Sequence, residues 1–232
     1  MSGMFNPHME ILPAAQQRLW PELRATAELG FVLYGGTAVA LRLGHRHSVD
    51  FDFFSDQALD RHAIHAAFPF MARSTLLQDE RQTLGVLVPG ADPQSGQVKL
   101  SFFGTIGFGR VGEPDLTGDG VLQVASLDDL MATKLKVILQ RAEAKDYRDI
   151  AQMVKAGVSL TKGLAAASKL FGPNFQPSES LKALAYFKDG DLATLTRDET
   201  STLVKAASAV RDLPQLAILS TKLTAAIGSR GK

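Results

Sequence analysis

The spacing of hydrophobic and polar residues predicts alternating helices and strands in the first part of the chain. Apolar side chains that recur with a period near 3.6 residues indicate helices. Such helices are predicted over residues 8–29, 37–44 and 59–68. A short apolar run ended by glycines indicates a buried strand, whereas strict alternation of two residue types indicates a strand with two different faces. Strands of these two kinds are predicted over residues 31–36 and 47–55.

A β-rich block with Gly, Pro and Asp clusters between its pieces comes next, and we expect it to add antiparallel strands to the first two. The block covers residues 72–78, 82–88 and 97–103, with a further short strand at 120–124. From Ser126 the pattern changes to helical periodicity that continues nearly to the end, and Ser126 with Asp129 forms a capping-box-like start. We therefore predict an α/β domain over residues 1–125 and a helical domain over residues 126–232.

Composition removes several classes of function. The 232-residue chain has no cysteine, which excludes disulfides, zinc–thiolate sites and thiol nucleophiles. Its 25 basic and 24 acidic residues nearly cancel, so any contact with a polynucleotide must come from a local patch. The N-terminus has no basic start followed by an apolar core, and no stretch approaches the about 20 apolar residues of a membrane span. We expect a soluble, cytoplasmic protein without a membrane partner.

The segment that carries chemistry runs from Gly35-Gly36-Thr37 to Asp50-Phe51-Asp52, with twelve residues between the two motifs. Paired glycines after a strand let a ligand approach the backbone, and the N–H groups at the start of the next helix suit a phosphate. Thr37 adds a hydroxyl donor. Asp50 and Asp52 lie two residues apart on one strand, so their side chains share a face with Cα atoms about 6.5–7 Å apart. Two carboxylates beside a phosphate cradle form a site suited to Mg²⁺.

The aromatic residues indicate packing. Phe51, Phe53 and Phe54 indicate that the acidic strand is central and packed, and we interpret Trp20 and the other aromatic residues as core rather than as a base-stacking surface.

These residues resemble a known signature. The stretch YGGTAVALRLGHRHSVDFDFFS, with Arg46 and Ser48 before the acids, is similar to the AbiEii/AbiGii toxin family of nucleotidyltransferases. A second stretch, KLKVILQRAEAKDYRDIAQMV, resembles the helical motif of that family. The resemblance covers residues 31–55 and 126–154. It implies a nucleotidyltransferase-like mixed sheet with flanking helices, followed by a C-terminal helical bundle.

The resemblance also implies site residues. Asp50 and Asp52 hold Mg²⁺ and act in catalysis together with Lys134 and Asp146. Nucleotide binding falls to a larger set, namely Gly35, Gly36, Thr37, Arg46, Ser48 and Arg141. Interpreted without the family, Lys134, Arg141 and Lys145 lie near one stripe of a continuous helix, where Lys145 and Asp149 are one turn apart and could pair.

One departure from the superfamily pattern concerns a third carboxylate on a later strand. The expected position holds Ser101, and serine cannot replace the charge of a carboxylate at a metal ion. From the alternation along residues 97–103, we expect Ser101 to lie on a strand adjacent to that of Asp50 and Asp52, with its hydroxyl facing them. The second metal ion is then held more weakly, the acid comes from elsewhere, or activity is lost. Other acids near it in sequence are Asp92, Glu113 and Asp115.

The resemblance implies a nucleoside triphosphate substrate, a tRNA or other RNA acceptor and an antitoxin protein as partner. A protein acceptor stays open as well. Two alternatives also stay open: a small-molecule nucleotidyltransferase of the antibiotic-modifying kind, and a non-catalytic relative that binds a nucleotide or a partner.

Overall fold

The computed structural model describes residues 3–90 and 96–225, and these residues form two compact units. The first unit holds residues 3–90, 96–109, 113–125 and 220–225, and the second holds 110–112 and 126–219. The predicted division at residue 125 stays a prediction. Two short segments depart from it, because 110–112 joins the second unit and 220–225 joins the first.

Among the described residues, the first unit is built on an eight-stranded mixed sheet in the order β1-β7-β8-β2-β3-β6-β5-β4. The strands are β1 (Met4–Phe5), β2 (Val32–Tyr34), β3 (Asp50–Phe54), β4 (Thr75–Glu80), β5 (Thr83–Pro89), β6 (Gln97–Phe103), β7 (Asp115–Thr117) and β8 (Gln123–Val124). The predicted mixed sheet with flanking helices is confirmed. Strands β1 and β7 were not predicted, because two or three residues are too few to show a period.

Strand β3 lies at the centre of this sheet, between β2 and β6. It pairs with β2 in antiparallel and with β6 in parallel orientation. The prediction that the later strands add only antiparallel pairs is therefore wrong for β6. Strand β5 is antiparallel to both of its neighbours, β4 and β6. Between β3 and its parallel neighbour β6, the chain forms a helix and then strands β4 and β5.

The helices of the first unit are α1 (Ala14–Leu19), α2 (Ala25–Glu28), α3 (Gly35–Leu43) and α4 (Arg61–Ala67). The predicted helix over 8–29 is broken into α1, α2 and two short 3₁₀ turns. Pro13 precedes the first residue of α1, and Pro21 lies in the 3₁₀ turn that separates α1 from α2. Helix α3 ends as predicted at Gly44, whose φ of 63° is the left-handed conformation that glycine favours.

The second unit is helical. Its helices are α5 (Leu127–Val137), α6 (Ala144–Lys155), α7 (Leu160–Phe171), α8 (Pro177–Ala183) and α9 (Arg197–Ala209). Ser126 caps α5 as predicted, because its hydroxyl accepts a hydrogen bond from the backbone N–H of Asp129. The Asp129 carboxylate binds the backbone N–H groups of Val111 and Gly112 at 2.8 and 3.1 Å, which attaches that short segment to α5.

Helical structure does not continue nearly to the end of the chain, contrary to the prediction. No helix follows α9 within residues 210–225. The backbone N–H of Leu223 donates to Oδ1 of Asp56 at 3.0 Å, and the side-chain amide of Gln123 exchanges two hydrogen bonds with the backbone of Ala225. Residues 220–225 are therefore attached to the first unit, in which Leu223 is buried, and do not form a helical stripe.

No helix in the described part of the chain is long and apolar enough to cross a membrane.

Candidate active site

Strand β3 carries Asp50 and Asp52 on one face and Phe51 and Phe53 on the other. Phe51 and Phe53 are fully buried on one face, where they pack against other aromatic rings such as Phe102. Asp50 and Asp52 lie on the opposite face and are half-buried. Because β3 is a central strand, its rigid pairing on both sides fixes the position of the two carboxylates.

Gly35 lies against the second of these acids. Its φ is 74°, and a Cβ atom placed on it would come within 2.5 Å of Oδ2 of Asp52. Only glycine meets both requirements, because L side chains rarely adopt this φ and any side chain would displace the carboxylate. Helix α3 begins at this residue, and the Tyr34 side chain does not cap it. The first turn of α3 therefore presents its backbone N–H groups next to the acids.

The hydroxyl groups of Thr37 and Ser48 are buried and 2.7 Å apart. The Thr37 hydroxyl also donates to the backbone carbonyl of Asp50. Together these bonds tie the first turn of α3 to the start of β3, so the structure uses both hydroxyls to position the acidic strand. Their direct contact with a nucleotide stays a prediction, as does that of Arg46, which donates to the carbonyl of His47 at 3.0 Å.

Ser101 occupies the place that the sequence predicted for it. In the parallel ladder of β3 and β6 it is the partner of Asp52, and Lys99 is the partner of Asp50. Paired residues share a face of the sheet. Ser101 is 5% exposed and lies on the acidic face. Of the other acids, Asp115 forms an ion pair with Arg42 at 2.9 Å, while Asp92 lies outside the described residues.

Three phenylalanines beside the acids were not predicted as part of the site. Phe54 shares the acidic face of β3, and its partner Phe103 shares the same face of β6. Phe108 follows β6 and lies 6.4 Å from Phe54, measured between ring centroids. All three are half-buried, so interpreting every aromatic residue as core is wrong here, although it holds for Trp20. The signal was available, because Phe54 has the same two-residue spacing as the acids.

In the helical unit, Lys134 lies between two carboxylates. Its Nζ is 2.6 Å from Oδ1 of Asp146 and 2.6 Å from Oδ2 of Asp149. The Lys134 side chain is 6% exposed, and the two aspartate side chains are fully buried. Burying the ammonium or either carboxylate alone would cost much free energy, and each of these charges is compensated here by an opposite charge.

Arg141 completes this cluster by donating from Nε to Oδ2 of Asp146 at 2.9 Å. Burial alone would raise the pKa of Asp146. The positive charge of Lys134 and the hydrogen bonds from Arg141 and Lys134 outweigh that effect, so the pKa of Asp146 lies below its ordinary value. Asp146 is therefore ionised at neutral pH, and its carboxylate joins α5 to α6.

The continuous helix assumed for Lys134, Arg141 and Lys145 is not present. Helix α5 ends at Val137 and α6 begins at Ala144, so the three residues do not form one stripe. The suggested pairing of Lys145 with Asp149 is also wrong, since Lys145 contacts Glu143 at 2.8 Å and Asp149 contacts Lys134. The turn between the two helices folds the acidic motif back onto Lys134.

The donor set on β3 fits a magnesium ion that shares its ligands with a substrate. The described residues contain no group of three or more acidic or histidine side chains that could hold a metal ion by themselves. Mg²⁺ in phosphoryl-transfer sites is commonly bound by one or two carboxylates together with substrate phosphates and water. Asp50 and Asp52 supply that smaller set, next to the N–H groups of the first turn of α3.

The fold of this chain is similar to the folds of solved nucleotidyltransferase structures, which defines its fold class. A protein from H. pylori described as a nucleotidyltransferase superposes with a TM-score of 0.56 at 19% identity, over 87% of this chain and 92% of that one. MenT4, the nucleotidyltransferase toxin Rv2826c of Mycobacterium tuberculosis H37Rv, gives 0.57 at 16% identity, over 84% and 82%. The antibiotic-resistance factor ANT(2'')-Ia gives 0.50 at 11% identity, over 67% and 91%.

Similarity in sequence defines the family itself. The model of the nucleotidyl transferase AbiEii toxin of type IV toxin–antitoxin systems matches residues 19–219, and the chain belongs to that family. It is also 30% identical over 161 residues to the uncharacterized protein aq_aa25 of Aquifex aeolicus strain VF5, which covers 68% of this chain and 74% of that protein.

Proposed function

We propose that this protein is a Mg²⁺-dependent nucleotidyltransferase that moves a nucleoside monophosphate from a nucleoside triphosphate to an acceptor and releases pyrophosphate. The observation that supports this most strongly is the position of Asp50 and Asp52 on one face of a central strand, with Gly35 in contact with Asp52. Membership of the nucleotidyl transferase family supports the same reaction class.

Each residue near the acids has a separate task in this proposal. Asp50 and Asp52 hold Mg²⁺, which when bound neutralises charge on the phosphates and polarises the reacting phosphorus. The backbone N–H groups of Gly35 and Gly36, at the positive end of the α3 dipole, bind phosphate oxygens of the leaving pyrophosphate. Thr37 and Ser48 keep α3 and β3 in register through their buried hydrogen bonds.

The cluster of the helical unit has a supporting task. We keep Lys134 and Asp146 as catalytic residues, as the family resemblance implies, with Asp146 orienting the Lys134 ammonium group through their ion pair at 2.6 Å. Arg141 binds Asp146 and holds that carboxylate in place. The four charges of Lys134, Arg141, Asp146 and Asp149 sum to zero, so these four groups together carry no net charge.

For the acceptor we propose RNA, with tRNA as the first candidate, and for the biological role the toxin of a toxin–antitoxin pair. The family is described as a toxin of such systems, and the structural neighbour MenT4 is described as a nucleotidyltransferase toxin. An antitoxin protein is the partner that this role requires.

The test is direct labelling. The protein is incubated with Mg²⁺ and each α-³²P-labelled nucleoside triphosphate in turn, with total RNA, purified tRNA or no added acceptor. We expect label on RNA with wild type and none with Asp50→Asn or Asp52→Asn. Label on a protein band would support the proposed reaction but show that the acceptor is a protein and not RNA. Absence of label on every species would contradict the proposal.

A further inference from the structure

An aromatic surface, formed by Phe54, Phe103 and Phe108, lies on the same face of the sheet as the two acids. The Phe54 and Phe103 rings meet edge to face with centroids 5.2 Å apart, and Phe108 meets Phe54 at 6.4 Å. The buried ring of Tyr34 stacks on Phe54 at 4.9 Å with an interplanar angle of 13°. The three phenylalanines are half-buried, in contrast to the fully buried Phe51 and Phe53 on the other face.

The loop that carries Phe108 is held in a costly conformation. Thr105 has a φ of 55°, the one described non-glycine residue in the left-handed region. The backbone N–H groups of Thr105 and Ile106 donate to the carbonyls of Gln57 and Ser55 at 2.8 and 2.9 Å. Strained backbone held by such bonds occurs preferentially at functional sites. Here the strain places Phe108 against Phe54 and Tyr34.

The order of groups along β3 indicates what this surface meets. Strand β2 is antiparallel to β3, and its last residue is the partner of Asp52. The first turn of α3 therefore begins beside Asp52, where Gly35 lies, and continues toward Asp50, whose carbonyl accepts a hydrogen bond from Thr37. Phe54 lies two residues beyond Asp52, at the end of β3 opposite to Asp50. The phosphate-binding turn therefore lies beside the two carboxylates, and the aromatic surface lies beyond Asp52 on the side away from Asp50.

This order matters because nucleotidyl transfer is an in-line displacement. The attacking oxygen approaches the phosphorus from the side opposite to the leaving group. If pyrophosphate leaves toward the first turn of α3, the acceptor approaches from the side of the aromatic surface. This step rests on the function proposed above.

We propose that the aromatic surface binds the acceptor by stacking against a nucleobase of single-stranded RNA next to the hydroxyl that attacks. Exposed aromatic rings are the usual platforms for unpaired bases, since every base offers a π-face. The attacking hydroxyl forms a new P–O bond, the bond to pyrophosphate breaks, and the hydroxyl proton leaves to solvent or to a carboxylate. Phe108 is the specificity-determining residue, because it lies in a loop and closes one side of the surface.

The experiment measures KM separately for the nucleoside triphosphate and for a short single-stranded RNA. For Phe108→Ala we expect the KM for RNA to rise about 5- to 150-fold, as for loss of one stacked base. The KM for the triphosphate should stay within about twofold of wild type, because the phosphate-binding turn is untouched. Phe108→Tyr keeps a ring and should rescue, whereas Phe108→Leu keeps apolar bulk without a π-face and should not.

Leu77→Ala is the matched control, since Leu77 is 50% exposed on the edge strand β4. It should change neither KM. Thermal unfolding of each variant identifies any effect that comes from misfolding, and Phe103→Leu provides a second variant of the same surface.

The outcomes separate this inference from the proposed function. If Phe108→Ala is active and its KM for RNA is unchanged, the inference about the aromatic surface is overturned, while the proposed nucleotidyltransferase activity stands. A rise confined to the triphosphate KM assigns the surface to the base of the donor nucleotide and overturns the inference as well. If wild type labels no acceptor, anisotropy of the same RNA carrying fluorescein tests the surface alone. Weaker binding by Phe108→Ala then supports the stacking surface, and unchanged binding overturns it.

Discussion

Two groups of aspartates, one in each unit, have opposite surroundings. Asp50 and Asp52 lie half-buried on a strand of the sheet, beside a glycine and the start of a helix. Asp146 and Asp149 are fully buried in the helical unit, with the Lys134 ammonium 2.6 Å from each carboxylate. In the proposed function, the cation of the first pair is Mg²⁺ that comes with the substrate. The second pair already has its cation, covalently attached to α5.

This difference teaches that residue type and spacing do not decide the role of a carboxylate. An uncompensated buried charge is too costly to keep, so the helical cluster must be neutral within the fold. Half-exposed carboxylates keep part of their hydration and can exchange water for a metal ion. Loss of a sheet acid should therefore affect chemistry, whereas loss of a cluster member should affect folding first.

The largest effect is expected for Asp52→Asn, which removes the charge of one proposed metal ligand on the sheet. A loss of about 4 kcal/mol of transition-state stabilisation corresponds to roughly a thousandfold lower kcat/KM. The melting temperature should stay the same or rise, because two neighbouring like charges no longer repel. Radiolabel transfer and calorimetry measure the two quantities. Wild-type turnover in a folded Asp52→Asn protein would show that the acid is not at the reaction centre.

Lys134→Met should lower the free energy of unfolding by about 3–5 kcal/mol, since it leaves two carboxylates buried with a single remaining cation. Urea unfolding measures this loss. The control is Lys145→Met, an exposed lysine paired with Glu143, where we expect a change of about 1 kcal/mol or less. Equal stability of the two variants would mean that the cluster does not hold the helical unit together. Activity of Lys134→Met is then interpretable only at temperatures where it is folded.

Gly35→Ala adds a methyl group where the Asp52 carboxylate lies, and we expect roughly a hundredfold loss of transfer activity because the acid must move. Gly157→Ala is matched for the backbone effect, because Gly157 also has a positive φ but open space around its Cα. Both variants should lose about 1–2 kcal/mol of stability from the left-handed conformation. Similar transfer activities of folded Gly35→Ala and Gly157→Ala would show that the contact between Gly35 and Asp52 is not needed for activity.

Lowering the pH should reduce the free energy of unfolding that the ion pairs of Asp146 contribute. The pKa of Asp146 in the folded protein lies below its unfolded value of about 3.9. The stability from this group is therefore fully present above that value and is lost as pH falls through the folded-state pKa. Unfolding free energies measured from about pH 6 to pH 2 should decline less steeply for Asp146→Asn than for wild type. Parallel declines would exclude Asp146 as a source of the slope.

The smallest effect concerns the missing third carboxylate. Ser101→Asp would place an acid directly beside Asp52 in the parallel ladder. We expect Mg²⁺ affinity to rise several-fold and transfer activity to increase, because the added oxygen completes the ligand set. Ser101→Asn, which adds the same side-chain shape without the charge, serves as the control. An unchanged Mg²⁺ affinity of Ser101→Asp would mean that the third acid does not limit the site.

The sequence predicted the parts of the site that depend on short-range periodicity. Alternation along 47–55 predicted the acidic face of β3, and the same rule applied to 97–103 placed Ser101 on that face, which the register confirms. Gly44 was predicted as the end of α3 for a local reason, because a left-handed C-cap suits glycine.

Features that depend on tertiary pairing were not predicted. The parallel orientation of β6 and the return of residues 220–225 to the first unit depend on contacts between distant segments. The break between α5 and α6 removed the expected stripe of Lys134, Arg141 and Lys145, because a turn there lets Asp146 and Asp149 surround Lys134. Phe108 reaches the acidic face through a strained loop, whose path no periodicity reveals.

The most direct test of the central claim is a titration with Mn²⁺, a spectroscopic stand-in for Mg²⁺, in the presence of a non-hydrolysable nucleoside triphosphate. Electron paramagnetic resonance counts free and bound ions for wild type, Asp52→Asn and Asp149→Asn, each at a temperature where it is folded. We expect wild type to bind the ion, Asp52→Asn to lose at least about tenfold in affinity, and folded Asp149→Asn to bind like wild type. Equal binding by wild type and Asp52→Asn, with loss only in Asp149→Asn, would contradict the account.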